Sequence, residues 1–85
     1  MFLHIEQLEP SLGYRLFLRF DNGVEGLVCL RDELWGEKFE PLLDESLFQT
    51  ARLDPVMRTV VWENGADLAP EFLLDLLNRQ LGSAA

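Results

Sequence analysis

Tyr14-Arg15-Leu16-Phe17-Leu18-Arg19-Phe20-Asp21-Asn22-Gly23-Val24-Glu25-Gly26-Leu27-Val28-Cys29-Leu30 reads as two strands around a turn. Leu16, Leu18 and Phe20 alternate with Arg15, Phe17 and Arg19, the two-residue period of a half-buried strand. Asp21-Asn22-Gly23 breaks the pattern, and Val24 to Leu30 reads as the return strand. Register decides the loop length. A two-residue Asn22-Gly23 turn would pair Phe20 with Glu25 and put a carboxylate on the apolar face. A three-residue loop with Gly23 in the left-handed region pairs Phe20 with Val24, Leu18 with Gly26 and Leu16 with Val28. A one-residue slip moves every side chain to the other face, so the second register is expected.

Outward from this hairpin, Leu3 to Leu8 alternates as a short strand that Pro10 and Gly13 should end. Arg31 to Trp35 can make one turn stopped by Gly36. A short helix should start near Asp44, a good N-cap, and carry Leu47 and Phe48. Ala51–Asp54 and Arg58–Trp62 read as two strands around Asp54-Pro55. Pro70 to Leu81 is a helix with Pro at its start and Gly82 just past its end. The order β-β-β-α-β-β-α implies an α+β fold, a small antiparallel sheet with helices packed on one face. One domain is expected over residues 1–81, with 82–85 as a frayed tail.

The chain has 85 residues, with 7 Lys and Arg against 15 Asp and Glu and a net charge of −8. Direct contact with nucleic acid or with an anionic membrane is not expected, because both require a basic footprint. Apolar runs of a few residues fall far short of the ~20 that a membrane helix needs. No signal-peptide pattern opens the chain, and Cys29 has no partner for a disulfide, so a cytoplasmic setting is expected.

No catalytic constellation is visible, and the chain is read as not an enzyme. His4 is the single histidine, with no second His or Cys near it in sequence to share a metal. No serine lies in a Gly-x-Ser-x-Gly elbow. Neither a metal nor a cofactor is implied. Acidic residues are unevenly placed: residues 31–67 hold nine acids and four bases, −5 of the total −8. Asp32, Glu33, Glu37, Glu40, Asp44 and Glu45 form an acidic surface in this part, read as a solvated face or as an electrostatic face for a basic protein.

The segment Trp62-Glu63-Asn64-Gly65-Ala66-Asp67 has two readings. In the structural one, Asn64-Gly65 turns the chain, Asp67 caps the amides of Leu68 and Ala69 ahead of Pro70, and Trp62 packs beneath the helix. In the functional one, Trp62, Asn64 and Asp67 form a polar–aromatic contact for a ligand or partner. The C-terminal helix adds another candidate surface. At 100° per residue, Phe72, Leu73, Leu74, Leu76, Leu77 and Leu81 span about 200°, wider than the ~100° stripe that packing on one sheet requires. If Phe72, Leu73 and Leu76 cover the strands, Leu74, Leu77 and Leu81 are left over at helix–helix spacing, for a homodimer or a partner helix. A broad core stripe covered by the 31–50 loops is the alternative.

Tyr14-Arg-Leu-x-Leu-x-Phe-Asp-Asn-Gly23, Gly26, Phe39-x-Pro-Leu42, Phe48, Arg52-Leu-Asp-Pro55 and Thr59-Val-Val-Trp-x-Asn-Gly-Ala-Asp67 resemble the bacterial domain of unknown function 2442 family over residues 2 to 77. Two departures stand out. Cys29 occupies a position where members commonly carry Asp, and Met57-Arg58 replaces a usual Gly. The resemblance implies a small α+β domain without assigned catalytic residues. It also implies kinship with proteins that look like one half of toxin–antitoxin pairs. The leading expectation is therefore a small acidic protein-interaction module, the antitoxin-like partner of a small basic protein. A small-molecule-binding or enzymatic domain using Trp62 and Asp67, and a structural domain excised from a regulator, are the alternatives.

Overall fold

In the computed structural model residues 3–82 are described, and Met1, Phe2 and most of the expected 82–85 tail lie outside them. Strands β1 (Ile5–Ser11), β2 (Arg15–Phe20) and β3 (Glu25–Cys29) form an antiparallel sheet in that order. The hairpin has the three-residue loop. Leu16 faces Val28, Leu18 faces Gly26, and the Phe20 amide donates to the Val24 carbonyl at 2.8 Å. Gly23 takes φ of 92°, and the Asn22 side chain accepts from the Val24 amide at 3.0 Å.

β1 is longer than its alternation suggests. A register shift between Ile5 and Gln7 puts both Ile5 and Leu8 on the core side, opposite Phe20 and Leu18. Pro10 does not end it. Leu16, opposite Pro10, lies in a register in which its own N–H and C=O face Val28 on β3. No ladder bond therefore requires an N–H at Pro10, as suits an outer strand.

Beyond β3, 3₁₀ turns at Arg31–Glu33 and Glu40–Leu43 precede α1 (Glu45–Phe48), capped by the Asp44 carboxylate on the Ser46 amide at 3.0 Å. Instead of one continuous meander, β4 (Arg52–Leu53) and β5 (Val60–Val61) pair as a separate two-stranded sheet. Each is cut to two residues by the tight Asp54–Thr59 loop, where the Asp54 carboxylate accepts from Met57 at 2.6 Å and Arg58 takes φ of 57°. The two sheets meet where the Ile5 amide donates to the Arg58 carbonyl at 2.9 Å.

Helix α2 (Pro70–Gly82) closes the core face of the larger sheet, with Leu73, Leu76 and Leu77 buried. Leu77 corrects the expectation of a leucine seam. Gly26 leaves a gap in β3, and a Cβ there would sit 3.0 Å from the Leu77 side chain. Leu77 fills that gap and is fully buried, while Leu74 is half-buried and Leu81 is 59% exposed. The three leucines thus do not form one exposed stripe. Asp67 does not cap α2 either. Its backbone bridges to Val61, and the Ala69 carbonyl accepts the first helical bond, from Leu73 at 3.2 Å.

Candidate docking cleft

The Trp62–Asp67 segment turns inward. Trp62 is 1% exposed, its indole N–H donates to the Phe48 carbonyl at 3.0 Å, and the two rings lie 5.8 Å apart. Asn64 is also committed. Its carbonyl oxygen accepts from Ala66 at 3.1 Å, and its amide donates to the Lys38 carbonyl at 3.0 Å. The Lys38 ammonium returns the contact to the Asn64 carbonyl at 3.1 Å. Asp67 is exposed on the connection to α2. Trp62, Asn64 and Asp67 therefore do not form one site: Trp62 is buried against Phe48, Asn64 anchors the loop at Lys38, and Asp67 is exposed.

The reciprocal Lys38–Asn64 clasp pins the loop that follows the first 3₁₀ turn. Gly36, at φ of 88°, reverses the chain there, and its carbonyl accepts from Phe39 at 3.2 Å and Glu40 at 2.9 Å. Opposite this loop, the buried Thr59 hydroxyl donates to the Leu68 carbonyl at 2.5 Å, fixing the approach to α2. Between the two lies a cleft of about 430 Å³ lined by Glu33, Trp35, Gly36, Glu37, Lys38, Phe39, Leu68 and Phe72. Phe39, Leu68 and Phe72 are half-buried, whereas Trp35 is 73% exposed. A large apolar ring in water beside a concave apolar lining makes this cleft the candidate site.

The charge around the cleft is one-sided. Glu33 and Glu37 flank Trp35 two residues before and after it, and Glu40 lies in an adjoining depression with Gly36, Glu37 and Pro41. No ion pair among the described residues engages any of the three. Lys38 is the one cation in the lining, and its head group is held on the Asn64 carbonyl. The expected acidic surface thus divides by role. Asp44 caps α1 and Glu45 accepts from the Gly13 amide at 2.9 Å, whereas Glu33 and Glu37 line the cleft, Glu40 lines the adjoining depression, and Asp32 is exposed beside them in sequence.

Trp35, Phe39, Leu68 and Phe72 were not marked as a site by sequence reasoning. The available signal was the string Glu33-x-Trp35-Gly36-Glu37, a bulky aromatic set between carboxylates outside any periodic element. No group of three or more His, Cys, Asp or Glu among the described residues could hold a metal ion, and no described helix is long and apolar enough to cross a membrane. His4 is paired with Asp21 at 3.3 Å, and the exposed Cys29 thiol lies 3.8 Å from the Gly13 carbonyl.

Fold and cleft together define a small α+β domain with an apolar groove bordered by carboxylates. The chain belongs to the family described as Protein of unknown function (DUF2442), whose model matches residues 5–78. That span runs from β1 into α2 and takes in both sheets and every residue of the cleft. No curated protein and no solved structure matches the chain.

Proposed function

We propose that this chain is a non-enzymatic protein-interaction module, the acidic, antitoxin-like half of a two-protein unit whose other half is a small basic protein. The observation that carries this reading is Trp35, 73% exposed over an apolar cleft and flanked by Glu33 and Glu37. Exposed tryptophan at a concave site is the residue type that most often dominates protein association. A charge of −8 would speed encounter with a basic partner and disfavour acidic ones. The Trp62 region gives less support to a ligand site, since its indole N–H and the Asn64 side chain are already bonded within the chain.

The test starts from the reading frame beside the gene. The expected outcome is a small basic product that co-purifies with the chain, cross-links to a photoreactive residue placed at position 35, and is lost on Trp35→Ala. A complex that forms without cross-linking from position 35, or that survives Trp35→Ala unchanged, overturns the reading.

A further inference from the structure

Resting on that docking reading, we infer that the cleft takes a short partner segment in which one bulky apolar side chain is bracketed by arginine or lysine. Phe39, Leu68 and Phe72 form a floor without a charged group, which suits an aromatic or large aliphatic anchor. Trp35 lines the same cleft from a loop that the Lys38–Asn64 clasp holds in place. Its exposed face is available to a guanidinium or ammonium as well as to apolar contact. Glu33 and Glu37 sit on either side of the indole in sequence, both in the lining and neither neutralised by an internal ion pair.

The direction of the charge selects the occupant. An acidic segment would bring its carboxylates against the two in the lining, Glu33 and Glu37, with the single Lys38 ammonium to offset them. A wholly apolar segment would fill the floor and leave the carboxylates without partners. A segment with cations flanking its anchor satisfies both floor and border. Such specificity comes as much from repelling the wrong charge as from attracting the right one.

The probe is the acetylated and amidated peptide Gly-Arg-Ala-Phe-Ala-Arg-Gly, compared with a version in which both arginines are glutamate and one in which phenylalanine is alanine. Trp35 reports directly, because Trp62 is 1% exposed and shielded from solvent and quencher. The arginine–phenylalanine peptide should shift the emission to the blue, protect it from acrylamide, and lose affinity as salt is added. The glutamate and alanine versions should bind at least about tenfold more weakly, a difference of about 1.4 kcal/mol. Glu37→Lys, at an exposed position, should cost the arginine peptide a similar factor while leaving the thermal melt unchanged. Equal binding of the arginine and glutamate peptides, or unaltered binding by Glu37→Lys, overturns the charge selectivity and leaves the docking reading standing. If no peptide binds, the inference falls, and the docking reading is judged by the position-35 cross-link alone.

Discussion

Asn64 shows how one side chain can serve a distant surface. With its carbonyl on Ala66 and its amide on Lys38, it closes its own turn and ties down a loop 26 residues earlier. A hydrogen bond of this kind contributes about 0.5–1.5 kcal/mol net. Asn64→Ala should therefore lower stability by about 1–3 kcal/mol, the sum of two such losses. It should also make Trp35 easier to quench, because the loop that carries it loses its anchor. Lys38→Met keeps the aliphatic stem and the Lys38 carbonyl that Asn64 binds, and loses only the exposed ammonium contact. Its effect should stay within about 0.5 kcal/mol, as for most surface changes. Urea unfolding and acrylamide quenching of both variants check this. An Asn64→Ala protein with unchanged quenching would mean that other contacts hold the cleft.

At the scale of elements, Leu77 and Leu81 on α2 are the sharpest contrast. Both fall on the stripe that helical spacing assigns to an interface, yet one is buried against Gly26 and the other is largely in water. Leu77→Ala should cost about 2–5 kcal/mol as a core truncation. Leu81→Ala should fall within about 0.5 kcal/mol. If this helix were the seam of a dimer, Leu81→Ala would instead lower the melting temperature in a concentration-dependent way, which calorimetry at two concentrations resolves. The same comparison shows what was legible in the sequence. Strict alternation in Leu16–Phe20, with a glutamate that had to stay off the core, determined the hairpin register. Asp44 and Pro70 announced an N-cap and a helix start by local backbone chemistry, whereas Gly36 reverses the chain beyond a 3₁₀ turn that already ends at Glu33. The bulge near Glu6, the burial of Leu77 in a glycine's gap and the division into two sheets depend on contacts between distant segments. No local period records these. The cleft was hidden for the same reason. Its walls come from residues 33–39 and 68–72, and the first is tied to Asn64 by a side-chain-to-backbone clasp that leaves no pattern in composition or spacing.

For the whole molecule, charge placement matters more than charge total. The sheet face opposite the core carries Arg15, Phe17 and Arg19 beside Glu9 and Glu25, and bases stack on open sheet faces where aromatic and basic side chains combine. Arg19 is neutralised by Glu25 at 3.2 Å, whereas Arg15, which donates to the Leu12 carbonyl at 2.9 Å, keeps its charge. Elsewhere Arg79 pairs with Asp75 at 3.1 Å, and Lys38 is held on the Asn64 carbonyl. Each neutralised phosphate on a duplex contributes about 0.9 to the salt slope of binding, and tight association at physiological salt needs several. Two arginines, one of them neutralised by Glu25, on a chain of net charge −8 do not supply them. Duplex DNA should therefore show no sub-micromolar complex at physiological salt. Any binding at low salt should disappear on Arg15→Gln with Arg19→Gln and be indifferent to Trp35→Ala. A sub-micromolar duplex complex at physiological salt would overturn this prediction. Because the two surfaces are built from different elements, the paired variants also separate them. Loss of partner binding on Trp35→Ala with no loss on the arginine changes places the partner at the cleft.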